Sequence, residues 1–205
     1  MYKKPKHIPS KADPVEQEAF IKQYEQLKKT KNPEDKIFFV DAVHPLHNSQ
    51  PAYGWIKKGE EKGLKSNTGR LMVNLNGAYN IEEDKVTIRE DESINSQSTI
   101  ALFEQLLKEN PFGILYIIRD NARYYYSKLV KEFLQTHPRM QYIKMPPYSP
   151  NLNLIERLWG FFKEETTHNR YYEKFAEFKK TCLDFFANIA DYKAELERRM
   201  TENFQ

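Results

Sequence analysis

Two stretches of this chain are apolar without interruption and each leads to an acid. Ile37 to Val40 runs into Asp41, and Ile114 to Ile118 passes through Arg119 to Asp120. Apolar runs that lack polar alternation read as strands buried on both faces, here over 36–43 and 113–119. Between them, 70–79 and 85–89 read as a hairpin turned through Glu82-Glu83-Asp84, and Tyr53–Lys58 as an edge strand. Gln141–Lys144 is a last short strand, stopped by Met145-Pro146-Pro147 because proline lacks the N–H that a ladder needs.

The helical period appears elsewhere. Asp13, Pro14 and Glu16 supply an N-cap, a first-turn proline and a first-turn acid, and Phe20, Ile21, Tyr24 and Leu27 follow at helical spacing until 30–33. Ser96–Asn110 turns Ile100, Phe103, Leu106 and Leu107 inward, and a helix is expected over 124–135. After the prolines, Tyr148-Ser149-Pro150-Asn151 carries helix-start chemistry, and Ile155, Leu158, Trp159 and Phe162 form one stripe at i, i+3, i+4 and i+7. A final helix over 172–190 collects Tyr172, Phe175, Phe178, Cys182, Phe185, Phe186 and Ile189 on a broad face. The order β-β-β-α-β-α-β-α predicts an α/β fold, a mixed five-stranded sheet flanked by helices. The expected division is a basic linker (1–12) and helix within 1–35, the main domain over 36–190, and a tail over 191–205.

Composition narrows the class. With 205 residues, 40% hydrophobic and 14% aromatic, the chain is long enough for one full core and short for two. It holds no run of 18 apolar residues and no apolar leader, so no membrane role is expected. The single Cys182 excludes an internal disulfide and fits a reducing cytoplasm. A net charge of +3 permits a polyanionic partner without demanding one.

The candidate chemistry lies in three carboxylates. Asp41 and Asp120 fall at or near the C-terminal ends of central strands, where open α/β sheets bind ligands. If those strands are neighbours, the two acids share a proton or need a cation. Glu156 sits at the edge of the apolar stripe of its helix and can face inward as a third acid, with Gly160 one turn on adding no bulk over it. The alternative is a solvent-facing acid favoured by the helix dipole. Three carboxylates without a His/Cys set at ligand spacing suit Mg²⁺ or Mn²⁺, and a pair of such ions can drive an in-line phosphodiester displacement.

Phe39-Val40-Asp41, Arg119-Asp120-Asn121-Ala122 and the block from Pro146-Pro147-Tyr148-Ser149-Pro150 to Glu156-Arg157-Leu158-Trp159 resemble the three acidic blocks of the IS630/Tc1/mariner group of DDE transposases. The 35 residues between Asp120 and Glu156 match that group's short spacing, and the similarity runs from the helix near Asp13 to Asn203-Phe204. The resemblance implies an RNase H-like catalytic domain of an insertion sequence. It implies Asp41, Asp120 and Glu156 as catalytic ligands of two Mg²⁺ or Mn²⁺ ions, transposon-end and target DNA as partners, a homodimer, and a prokaryotic cytoplasm and nucleoid as the setting. The resemblance also implies N-terminal helix-turn-helix modules in full-length relatives, whereas here only a linker and one helix are expected ahead of the catalytic domain.

Asn121 reads either as a residue that orients Asp120 or as an ordinary turn residue. His44 and His47 are metal ligands, DNA-backbone contacts or loop structure. Lys57, Lys58, Lys62, Lys65 and Arg70 in one loop, and Arg123 beside Tyr124-Tyr125-Tyr126, are candidate DNA contacts, with a solvated surface as the alternative. Two further functional readings share the pattern: a catalytically silent remnant that binds DNA or dimerises, and an RNase H-type nuclease.

Overall fold

A computed structural model describes residues 11–204, so the linker expected over 1–12 lies almost wholly outside the described residues. Helix α1 (Pro14–Thr30) starts as the sequence predicts, with the Asp13 carboxylate accepting from the N–H groups of Val15 and Glu16. Strand β1 (Lys36–Val43) then enters the centre of the molecule. Strands β2 (Leu75–Asn80) and β3 (Lys85–Glu90) form the hairpin, helix α2 (Ser96–Glu109) crosses over, and β4 (Leu115–Arg119) follows. Helix α3 (Lys128–Thr136), β5 (Met140–Lys144), α4 (Leu154–Thr166), α5 (Phe175–Ala187) and α6 (Lys193–Arg199) complete the order.

The sheet runs β3-β2-β1-β4-β5. β1 pairs antiparallel with β2 and parallel with β4, and β5 extends the parallel half. The expected mixed five-stranded α/β architecture is therefore present. Period-two alternation splits β1 between two cores. Ile37 and Phe39 pack with α1, α4, α5 and α6, while Phe38 and Val40 pack with α2 and α3 on the opposite face.

Four local expectations are corrected. Residues 53–58 form no strand: Tyr53, Trp55 and Ile56 are exposed, and the five-stranded sheet is complete without them. The hairpin's first strand begins at Leu75 rather than residue 70, and residue 72 makes only an isolated bridge to Leu46. The helix expected over 124–135 is broken at Ser127, where a 3₁₀ turn (Arg123–Tyr126) ends and the Ser127 hydroxyl accepts from Val130 N–H to start α3. The supposed tail carries α6, and Leu196, Met200 and Phe204 are buried in the α4-side core. Phe204 meets Tyr24 edge to face at 5.5 Å.

Two devices fix the entry to the central strands. The buried Asp35 carboxylate accepts from Ile114 N–H at 2.8 Å and Asn32 N–H at 2.9 Å, joining the starts of β1 and β4. Gly113 has φ +70 and lies against the Glu34 carbonyl, a place no side chain could share.

Candidate active site

The strand register brings the first two acids together. Val40 lies beside Arg119 in the parallel pair, so the next residues, Asp41 and Asp120, emerge side by side at the C-terminal ends of β1 and β4. Asp41 has the parity of Ile37 and Phe39 and faces α4. Asp120 follows the last residue of β4, and its Oδ1 accepts from Ala122 N–H at 3.0 Å, which shapes the turn.

The third acid arrives from the prolines. After Pro146 and Pro147, Tyr148 takes a left-handed φ of 54, and Pro150–Leu152 make a 3₁₀ turn before α4 begins at Leu154. The predicted side-chain cap is absent: Asn153 occupies the N-cap position without bonding the first turn through its side chain. Glu156 sits in that first turn. With Asp120 it lines a cavity of about 500 Å³ walled by Pro146, Pro147 and Tyr148. The space over Gly160 is open, as expected.

Asp41 does not line this cavity; it stands deeper, where burial and the charges of Glu156 and Asp120 push its carboxyl up to about 7. The N–H groups of Ala42 and Trp159 pull the other way. Trp159 Nε1–H donates to Asp41 Oδ2 at 3.1 Å. Glu156 is also raised, by burial first and then by Asp120, while Lys163 opposes the shift. The Glu156 residue is exposed overall, but its carboxyl is partly buried and close enough to Asp41 for the two to interact. Two carboxyls in such contact hold a proton between them or need a cation.

That donor set has the chemistry of a hard divalent cation site, being all oxygen and partly desolvated. No described Lys, Arg or His forms an ion pair with Asp41, Asp120 or Glu156 within 4.0 Å. As they stand the acids are not gathered into a cage: among the described residues, no three His, Cys, Asp or Glu side chains meet closely enough to hold a metal. One Asp120 oxygen is engaged by Ala122 N–H, and Asp120 shares the cavity with Glu156.

The other expected residues separate. The Asn121 side chain donates to Met145 O at 3.3 Å and accepts from the Tyr126 hydroxyl at 2.6 Å. It ties β4 to the end of β5, and its bonds do not reach Asp120, so orientation of Asp120 falls to Ala122 N–H. His47 is buried, lies against Phe175 and Phe178, and shares the Tyr172 carbonyl with Asn67; it is loop structure. His44 bonds the Asn74 side chain at 2.7 Å. Lys57, Lys58, Lys62, Lys65, Arg70 and Arg123 are all exposed, and none lines the cavity.

Sequence reasoning missed three participants. Trp159 was legible only as core, Gly77 carries no local signal, and Arg119 ends a strand that otherwise reads as apolar. Arg119 is 4% exposed, with its guanidinium 4.3–4.8 Å from the ring centres of Tyr125, Tyr126 and Tyr142. Its Nη1–H donates to the Asp120 carbonyl at 2.9 Å, fixing the backbone that presents the second acid. The Tyr124-Tyr125-Tyr126 run could have suggested such a box.

Comparison with known proteins places this geometry. A family model described as DDE superfamily endonuclease matches residues 36–179. An insertion element IS630 uncharacterized 39 kDa protein from Shigella sonnei is 24% identical over 160 residues, covering 78% of this chain and 47% of its own length. A Mos1 transposase paired-end complex with the left transposon end superimposes with a TM-score of 0.66 at 16% identity, covering 91% of this chain and 59% of that one. A Mos1 mariner paired-end complex with Mg gives 0.65 at 16% identity, covering 92% and 59%. The fold is RNase H-like, and the chain spans about half to three-fifths of the length of these relatives.

Proposed function

Because this chain belongs to the DDE superfamily endonucleases, we propose that it is the catalytic part of an IS630/Tc1/mariner-type transposase that cleaves DNA strands at transposon ends and joins the freed 3′-hydroxyl to target DNA. The observation that carries the reading is the convergence of Asp41, Asp120 and Glu156, with Asp41 driven towards the protonated form by burial and by Glu156 and Asp120, and Glu156 by burial and by Asp120. Asp41, Asp120 and Glu156 would together hold Mg²⁺ or Mn²⁺, Asp120 through the oxygen that Ala122 leaves free. Divalent ions at such acids supply charge stabilisation at phosphoryl oxygens and an acidified water or hydroxyl, and two ions suit an in-line displacement.

The chain's own groups do the rest. Arg119 holds the Asp120 backbone through its carbonyl, and the β1–β4 register keeps the first two acids adjacent. Tyr148 stands 55% exposed at the cavity rim, where a tyrosine can stack on an unpaired base at a strand end. Lys57, Lys58, Lys62, Lys65, Arg70 and Arg123 offer exposed charge for phosphates, steering and gripping DNA without reading its sequence. A homodimer would hold two such sites together for two ends. A Mos1 transposase complex carrying Mn and another carrying Mg support the divalent reading.

Nicking of supercoiled plasmid in Mn²⁺ or Mg²⁺ tests the proposal. The wild-type chain is expected to nick and Glu156→Gln to be inactive; equal failure of both would favour a silent remnant. Preference for an RNA–DNA hybrid over duplex DNA would favour an RNase H-type nuclease.

A further inference from the structure

The indole of Trp159 belongs to the apolar stripe of α4, yet its one polar atom points at an acid. Trp159 is 1% exposed, and edge-to-face contacts with Phe162 and Phe186, at 6.5 and 5.9 Å, fix the ring plane. A buried indole N–H needs an acceptor. Here the acceptor is Asp41 Oδ2 at 3.1 Å, across 118 residues of sequence.

Strand β2 is shaped to admit this contact. Gly77 lies directly opposite Asp41 in the antiparallel register. A Cβ at Gly77 would stand 2.5 Å from Trp159 Cη2, 2.8 Å from Cζ2 and 2.9 Å from Ile88 Cδ1. The ring therefore occupies the space that a side chain on β2 would fill, and β1, β2 and α4 meet at one hydrogen bond. The same helix turn carries Glu156 three residues earlier, so α4 presents one acid and clamps another.

We infer that Trp159 is a positioning residue for Asp41, its N–H fixing one carboxylate oxygen and Gly77 providing the notch that seats its ring, so that Asp41 meets a divalent cation with its orientation already set. The inference rests on the proposed metal-dependent reading and adds to it a residue outside the three acids. A hydrogen-bonding partner behind a ligand lowers the cost of ordering that ligand, and loss of such partners weakens metal binding on the order of tenfold or more.

The test uses the full chain with Trp55, which is fully exposed, replaced by Phe, so that Trp159 is the remaining indole. In that background Trp159 is compared with Trp159→Phe and with benzothienylalanine at the same position, which keeps the two-ring shape and removes only the N–H donor. Leu158→Ala serves as a control that loosens the same helix without touching the hydrogen bond. Calorimetric Mn²⁺ affinity is expected to fall on the order of tenfold in both donor-less proteins and to hold in Leu158→Ala. Wild-type affinity in a folded donor-less protein, or an equal loss in Leu158→Ala, overturns the inference. The indole N–H proton resonance, read without metal, separates this from the larger reading. It is expected to shift between the parent and Asp41→Ala, which leaves the N–H without its acceptor. An unmoved resonance means the hydrogen bond is absent and the inference falls, whereas a parent that binds no Mn²⁺ overturns the catalytic reading itself.

Discussion

Replacing Asp41 by Asn should stabilise the metal-free protein, by an amount that grows as pH rises from near 4 to near 7. Burial and the neighbouring acids raise its carboxyl from 3.8 to about 7. A group whose folded value is raised contributes stability that is complete below the unfolded value and is lost as pH climbs through the folded one. The window therefore runs from near 4 to near 7. At about 1.4 kcal/mol per unit, a shift of about three units makes ionised Asp41 cost up to about 4 kcal/mol. Asn recovers part of this. Its carbonyl still accepts from Trp159, but the site is shaped for a carboxyl, and a gain of about 2 kcal/mol near pH 8 is expected, falling to about zero near pH 4.5. For a chain of this length that corresponds to roughly 4–8 °C in Tm near pH 8. Thermal melts followed by circular dichroism in EDTA, wild type against Asp41→Asn at the two pH values, measure it. A Tm difference of the same size at both, or a destabilised variant at the higher pH, would refute the claim that Asp41 is held against its charge.

Three further outcomes follow from the packing and charge. Gly77→Ala forces the Trp159 ring and Ile88 to shift from a Cβ at 2.5–2.9 Å, and urea unfolding should show a loss of about 1–3 kcal/mol from overpacking. Phe204→Ala removes a buried ring from Tyr24 and should cost about 2–3 kcal/mol in the same assay, whereas a true tail would cost nothing. Changing Lys57, Lys58, Lys62 and Lys65 together to Ala should weaken DNA binding and flatten its salt dependence, with the log–log slope falling by up to about 3–4 and Mn²⁺ affinity unchanged; an unaltered slope would make the loop a solvated surface only.

What could be read from the sequence followed from how each signal is encoded. β1 and β4 were legible because burial on both faces removes the polar alternation, leaving Ile37–Val40 and Ile114–Ile118 as continuous runs. α4 was legible from four apolar positions at helical spacing, and the acids stood out as the polar residues beside such patterns. Residues 53–58 misled because Tyr53, Trp55 and Ile56 have strand propensity, but the segment pairs with no strand of the sheet and its side chains pack against no core. α6 was missed since Leu196, Met200 and Phe204 are sparse among charges. Their burial depends on a surface made by α1 and α4 that no local window contains. The Asp41–Trp159 bond and the Gly77 notch were invisible for the same reason. Each arises from register and helix placement, joining residues 36 and 118 positions apart from Asp41.

The central claim is that Asp41, Asp120 and Glu156 act as one site, and single-turnover cleavage of supercoiled plasmid in Mn²⁺ tests it most directly. Asp41→Asn, Asp120→Asn, Glu156→Gln and the triple variant are compared with the wild type under the same conditions. Residues that act as a unit are non-additive, so each single change should cost about as much as all three, on the order of a thousandfold or more. A single variant that keeps near wild-type cleavage, or losses that multiply across the three positions, would contradict the account.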